Sequence, residues 1–258
     1  MNAVIVNIGD ELLIGQVINT NASWIADRLT SEGIAVERIV AIGDTANAIR
    51  DEIERGIAEA NLLILTGGLG PTRDDITKQA LCDIFETTLS FNPDAFTMIE
   101  AFFASRGLKV TELNRQQAEL PAGCTPLPNR QGTAPGMWFD KQNTIIVSVP
   151  GVPFEMQAII DEEVLPRLRA RAEGQLILQR TVLTHGMGES FLAQRIAHWE
   201  DTLPVGMKLA YLPSPGQVRL RLTARGTDRM ALEADLELAV HGLKTRVGEL
   251  IFGYDTDT

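Results

Sequence analysis

The chain has 258 residues, 45% of them hydrophobic and 22% charged, a length at which single cores stop growing and a composition typical of globular proteins rather than disordered ones. No apolar run approaches the roughly 20 residues of a membrane span, and the N-terminal MNAVIVNIGDELL has no basic leader, apolar h-region or cleavage site, so a cytoplasmic protein with no membrane partner is expected. Two cysteines, Cys82 and Cys124, are too few for a disulfide framework or a thiolate zinc site, and a net charge of -11 disfavours a nucleic-acid partner.

Residues 1–170 carry 13 basic and 23 acidic side chains, whereas residues 171–258 carry 10 and 11. This change of character, together with the pattern of elements, places two domains at 1–172 and 173–258. In chain order, Ala3 to Ile8 is a continuous apolar run suited to a strand buried on both faces. Asn21 to Gly33 reads as a helix, with Trp24, Ile25, Arg28 and Leu29 at helical spacing and Gly33 as its stop. A strand at Ile34 to Ile42 follows, then a helix capped by Asp44 whose Ile49, Ile53 and Ile57 form one stripe, then the strand Leu62 to Thr66.

Helices are expected from Thr72 to Phe85, Asp94 to Arg106 and Thr111 to Leu120. Cys82 sits beside the apolar stripe of the first of these, as a core thiol does. Pro121 to Gly136, with four prolines and three glycines, reads as an extended surface loop. Asn143 to Val149 is the last central strand, and a helix from Phe154 is terminated or kinked at Pro166. Strands alternating with helices give an α/β domain with a mostly parallel sheet. The remainder has strands at Leu176 to Thr184, Met207 to Leu212 and Gln217 to Arg225, and helices at Glu189 to Trp199 and Asp228 to Val247, an order suited to a small α+β domain. In Gln217 to Arg225, Val218, Leu220, Leu222 and Ala224 alternate with Arg219, Arg221, Thr223 and Arg225, so one face is apolar and the other largely basic.

The strongest chemical signal is Thr66-Gly67-Gly68-Leu69-Gly70-Pro71-Thr72-Arg73-Asp74-Asp75, a glycine-rich turn between a buried strand and a helix. Glycines let the backbone approach a ligand, and N–H groups at a helix start favour an anion. Thr72 with Asp75 resembles a capping box, and the bland alternative is a tight turn with ordinary capping. Asp74 and Asp75 in the same turn add a condition: carboxylates and a phosphate share a site only with a cation between them. Asp10 and Glu11, at the end of the first strand, reach the same crevice as further metal ligands or a general base. Asn19 and Asn21 are candidates for ligand contact or for N-capping, and Gly151, in Pro150-Gly151-Val152-Pro153-Phe154-Glu155, for ligand contact or for a rigid turn. His185 precedes Gly186-Met187-Gly188-Glu189-Ser190, and a lone histidine there is structural by default. No G-x-S-x-G elbow, H-E-x-x-H or zinc-deaminase pattern occurs.

Gly9-Asp10-Glu11-Leu12-Leu13-x-Gly15 with Asn19-Thr20-Asn21, followed by the glycine-rich turn, closely resembles the CinA (competence/damage-inducible) family. The likeness extends to Gly132-Thr133-Ala134-Pro135-Gly136, to Pro150-Gly151-Val152-Pro153 and to Gly186-x-Gly188-Glu189-Ser190. The resemblance implies a three-layer αβα, molybdopterin-binding-like domain followed by a small KH-like α+β domain. It also implies divalent-metal-dependent (Mg, Co or Mn) hydrolysis of the pyrophosphate of ADP-ribose to AMP and ribose 5-phosphate. On this expectation Gly67, Gly68, Gly70, Thr72, Asn19, Asn21, Gly151 and Ser190 contact a nucleotide substrate. Asp10, Asp74 and Asp75 bind metal, and Asp75, Glu11 and Glu189 carry the chemistry. A homodimer is expected by analogy. Longer members carry a third domain that deamidates nicotinamide mononucleotide; the sequence stops at Thr258, about where that domain would begin, so no deamidase activity is expected. The alternatives are a nucleotide- or molybdopterin-binding module without hydrolysis, and molybdopterin adenylyl transfer. RNA binding by the KH-like part is disfavoured, because no G-x-x-G clamp is visible and the chain is acidic.

Overall fold

A computed structural model describes residues 1–72, 75–171 and 176–254; Asp74, one of the expected metal ligands, lies outside them. The chain forms two compact units, residues 1–30 with 34–172, and residues 173–258 with 31–33.

The first unit starts with β1 (Asn2–Ile8), the single turn α1 (Asp10–Leu13), α2 (Thr20–Ser31), β2 (Ala35–Ile42), α3 (Ala46–Glu59) and β3 (Leu62–Thr66). It continues with α4 (Thr77–Ile84), β4 (Leu89–Phe91), α5 (Pro93–Ala104), α6 (Glu112–Gln116), β5 (Glu119–Pro121) and β6 (Thr125–Leu127). It closes with β7 (Gly136–Lys141), β8 (Thr144–Val149), α7 (Pro153–Ile159) and α8 (Leu165–Arg171). Six strands form one sheet in the order β2-β1-β3-β8-β7-β6, parallel from β2 to β8 and antiparallel at β7 and β6.

The apolar run of β1 serves both faces of this sheet. Val4, Val6 and Ile8 join Ile49, Ile53, Leu81 and Ile99 on one side, while Ala3 and Ile5 join Ile25, Leu29, Met156 and Val164 on the other. Each side chain of such a strand is buried whichever way it points, which is why polar alternation is absent. The result is the expected helix–sheet–helix layering, with the C-terminal ends of β1, β3 and β8 at one edge. Cys82 is a buried core thiol, as expected.

Several expected elements differ. The cap of α3 is Thr45, whose side chain accepts from the Ala48 N–H at 3.3 Å, and not Asp44. Helix α4 begins at Thr77 rather than Thr72, because Asp75 is engaged elsewhere. The helix expected at 111–120 ends at Gln116 and gives way to β5, and the expected surface loop at 121–136 contributes the edge strand β6. The antiparallel β7 has no counterpart among the expected elements. Pro166 does not end its helix: a π-helical turn at Ile160–Val164 joins α7 to α8, a widened turn being a way to accommodate a residue with no N–H to donate.

The second unit comprises β9 (Leu176–His185), α9 (Glu189–Glu200), β10 (Met207–Ser214), β11 (Gln217–Gly226), α10 (Arg229–Val247) and β12 (Ile251–Tyr254). Its antiparallel sheet has the order β10-β11-β9-β12. Val218, Leu220, Leu222 and Ala224 pack with Leu192, Ile196, Leu236 and Leu243, which bears out the two-faced pattern of β11. Strand β12 was not expected; its four residues are too short to announce themselves. Among the described residues no helix is long and apolar enough to cross a membrane.

Candidate functional site

The turn after β3 is built around two glycines in the left-handed region, Gly67 (φ 115°) and Gly68 (φ 65°). A Cβ on Gly67 would lie 2.2 Å from the Ile8 carbonyl oxygen and one on Gly68 would lie 2.2 Å from Thr77 Oγ1, so both shape and conformation demand glycine. The turn is tied down at its base. The Gly67 N–H donates to Val149 O at 3.1 Å, Thr66 Oγ1 donates to Pro150 O at 3.0 Å, and Thr77 Oγ1 donates to Gly67 O at 3.1 Å.

Asp75 does not cap a helix. Its carboxylate folds back over the turn and accepts from the Gly70 N–H at 2.8 Å, from the Thr72 N–H at 2.9 Å and from the Thr72 hydroxyl. A Cβ on Gly70 would lie 2.5 Å from Asp75 Oδ2, so Gly70 is where the carboxylate rests. The expectation that the backbone N–H groups from Gly67 to Thr72 are open to an anion is therefore corrected: those of Gly67, Gly70 and Thr72 are occupied. Among the described residues the N–H groups of Gly68 and Leu69 have no partner.

A cleft of about 440 Å³ opens above this turn, lined among others by Gly9, Glu11, Asp44, Gly67, Gly68, Leu69, Gly70, Asp75, Gln117, Ala134, Gly151 and Glu155. The ends of β1, β3 and β8 meet here as parallel strand ends do. Glu11 and Asp75 thus lie in one cleft, as expected, with Asp44 and Glu155 added; no basic side chain lines it among the described residues. Asp10 is placed differently. Its carboxylate accepts from the Asp44 N–H at 3.3 Å while Asp44 Oδ2 accepts from the Asp10 N–H at 3.1 Å, a reciprocal clasp between α1 and the end of β2. No group of three His, Cys, Asp or Glu side chains poised for a metal exists among the described residues. Asp10 is turned to Asp44 and Asp75 to the turn, and Asp74, the third expected ligand, lies outside the described residues.

Asn19 has the capping role, its Oδ1 accepting from the Ala22 N–H at 3.1 Å. Asn21 donates from Nδ2 to Gly151 O at 2.7 Å and to Thr66 Oγ1 at 3.4 Å, stitching α2 to the two loops of the cleft. Its Oδ1 is buried and unpartnered, as is that of Asn7, and both residues line a pocket of about 100 Å³ beside the main cleft. Gly151 packs against Gly67, where a Cβ would lie 3.4 Å from its Cα, an ordinary contact distance. Glu189 and Ser190 are exposed residues opening α9 in the second unit. His185 ends β9, its ring centroid 5.6 Å from that of Phe252.

Two cleft residues have no assigned role in the sequence. Glu155 is half-buried, and burial pushes its carboxyl above the ordinary range, against a partial pull downward from Asn129. Gln117 is 3% exposed. Beside it, burial lowers the Lys78 ammonium to about 8, and this group donates to Gln117 O at 2.9 Å and to Glu119 O at 3.1 Å. Glu155 stands within a motif already singled out, but only its contacts reveal its placement. Gln117 carries no local signal at all.

Residues 4–170 match the family described as probable molybdopterin binding domain, and residues 179–253 match the damage-inducible protein CinA KH domain. A CinA-like protein of Flavobacterium psychrophilum is 45% identical over 261 residues, covering 100% of this chain and 62% of that protein. A CinA-like protein of Cytophaga hutchinsonii is 42% identical over 256 residues, covering 99% of this chain and 61% of that protein. The chain thus spans less than two thirds of the length of these curated relatives. Among solved structures, the protein CinA from Thermoplasma acidophilum is 32% identical with a TM-score of 0.57, covering 62% of this chain and 94% of that one. Two domain matches in this order, with relatives aligned over the whole chain, mean that the chain belongs to the CinA-like family.

Proposed function

We propose that the chain is a divalent-metal-dependent hydrolase that cleaves the pyrophosphate of ADP-ribose, or of a related nucleoside diphosphate conjugate, to AMP and ribose 5-phosphate. The observation that carries this reading is the pair of unpartnered N–H groups, Gly68 and Leu69, in a cleft also lined by Glu11, Asp44, Asp75 and Glu155. Backbone donors fixed by glycine geometry suit a phosphate oxygen and cost no reorganisation when charge develops on it.

In the reaction a water oxygen bonds to one phosphorus, the bridging P–O bond breaks, and the departing phosphate keeps the electron pair. Gly68 and Leu69 hold the diphosphate, and Asp75 keeps the turn in shape by occupying the neighbouring donors. Glu11 accepts the proton of the attacking water.

A divalent ion, when bound, neutralises phosphate charge in an otherwise acidic cleft. The described residues do not form its ligand set, so chelator sensitivity decides whether an ion enters with the substrate. The test is AMP release from ADP-ribose with and without chelator, for the wild type and for Glu11→Gln. Metal-dependent turnover that drops at least 100-fold in the variant is expected. Binding of ADP-ribose with no AMP under any divalent ion makes the chain a binding module instead, and turnover unaffected in Glu11→Gln removes Glu11 from the chemistry.

A further inference from the structure

We infer that Gln117 and Glu155 form a sugar-reading wall of the cleft, taking hydrogen bonds from the hydroxyls of a ribose joined to the bound diphosphate; this rests on the pyrophosphate reading above.

Gln117 lies in the turn between α6 and β5, and its Oε1 is buried without a partner among the described residues. An unpaired buried acceptor costs about 1–3 kcal/mol, and such an atom in a folded protein calls for a reason. The main chain here is held from both sides. The Gln117 N–H donates to Asn114 O at 3.1 Å, and the Gln117 carbonyl accepts from Lys78 Nζ at 2.9 Å. Gln117 therefore lines the cleft from a fixed backbone.

Glu155 is held with comparable care. Its Oε2 accepts from Asn129 Nδ2 at 2.6 Å. The same Asn129 amide is saturated, with Nδ2 also donating to Ala134 O at 2.9 Å and Oδ1 accepting from the N–H groups of Gln131 at 3.0 Å and Gly132 at 2.9 Å. Glu155 Oε1 accepts no hydrogen bond among the described residues. Two acceptors lining one cleft require donors from the ligand. A diphosphate has none to give near neutral pH, and the carboxylate repels it. A ribose diol offers two, and it hangs one ester linkage from the phosphate, so it falls within the same cleft. Carboxylates bind ribose hydroxyls in this way elsewhere. A hydroxyl both donates and accepts, so it suits the Gln117 amide whichever way its oxygen and nitrogen are turned.

The experiment compares ADP-ribose with its 2′-deoxy analogues at either ribose, using the full chain and the variants Gln117→Leu and Glu155→Gln, each shown folded by its melting curve. Replacing the unpaired amide by an apolar side chain of similar size favours folding, so Gln117→Leu is expected to melt no lower than the wild type. In the wild type one deoxy analogue loses about tenfold in kcat/KM, the value of one hydrogen bond to a ligand. In Gln117→Leu, KM for ADP-ribose rises about tenfold and the preference over that analogue falls to near unity, while binding of inorganic pyrophosphate is unchanged. A Gln117→Leu chain that keeps the wild-type preference overturns the inference and leaves the hydrolase reading intact. If the wild type releases no AMP, the hydrolase reading fails, and calorimetry of the same ligands decides the inference alone. A preference for the diol that disappears in Gln117→Leu supports it; equal binding of all ligands, or none, overturns it.

Discussion

Gly132 leaves open the space that the Glu155 carboxylate occupies: a Cβ at residue 132 would lie 2.1 Å from Glu155 Oε2. No positive φ is involved, so the requirement is for room and not for conformational freedom. Gly132→Ala should push the carboxylate off Asn129 and leave a buried amide hydrogen unpaired. We expect a loss of about 1–3 kcal/mol in stability together with a raised KM for ADP-ribose, measured by denaturant unfolding and initial rates. Unchanged values for both would mean that Glu155 has another resting place.

Glu155 itself should weaken the fold as it ionises. Burial raises its folded-state pKa above the ordinary 4.5, with Asn129 pulling the other way. The folded chain then keeps the proton to a higher pH than the unfolded chain. Whatever stability the group contributes is complete below the unfolded value and is lost as pH climbs through the folded one. Glu155→Gln keeps an acceptor for Asn129 and cannot ionise, so its melting temperature should exceed that of the wild type near pH 8 and converge with it near about pH 4. A gap that widens toward acid would contradict the burial of this carboxyl.

What the sequence disclosed, and what it hid, follows from where each signal resides. Strands β1, β3 and β8 are mostly apolar because both faces are covered, and such runs are visible without a partner. The strand β7 begins at Gly136 directly after Pro135, and its Met137, Trp138 and Phe139 were submerged in a stretch dominated by turn residues. The site divides likewise. The glycines after β3 announce themselves, because a left-handed backbone leaves a compositional mark. The spacing of Thr72 and Asp75 reads as a cap, but the carboxylate instead satisfies the turn that precedes the helix, a choice made by three-dimensional proximity to Gly70. Gln117 is fixed at the cleft by Lys78, which pins its carbonyl, a contact between residues far apart in the chain.

Lys78 supplies a test of that pin. Burial lowers its ammonium from the ordinary 10.5 to about 8, despite the opposing charges of Glu119, Cys124 and Asp75. Between these two values the unfolded chain binds more protons than the folded one, so stability rises with pH across that window. The gain is bounded at roughly 3 kcal/mol. Lys78→Met abolishes this rise and also releases the Gln117 and Glu119 carbonyls, so KM for ADP-ribose should increase. Urea unfolding at several pH values from about 7 to about 10.5 reads the first effect. A wild type whose stability falls relative to Lys78→Met over this range would show that the ammonium stays charged.

Asp75 separates two roles that a carboxylate in such a turn has open to it. As the anchor of the turn it accepts from the Gly70 and Thr72 N–H groups and the Thr72 hydroxyl, and charge-assisted bonds of this kind are the stronger ones. Asp75→Ala should therefore cost about 1–3 kcal/mol, and loosen Gly68 and Leu69, with AMP release falling about 100-fold or more. Asp75→Asn should fare only slightly better, because an amide nitrogen cannot accept from the second N–H. If the carboxylate acts as an ion ligand alone, raising the divalent ion concentration will restore much of the lost rate and amide exchange at Gly70 and Thr72 will stay slow. If it holds the turn, added ion restores nothing and exchange at those two amides accelerates. The hydrogen bonds now in place predict the second result.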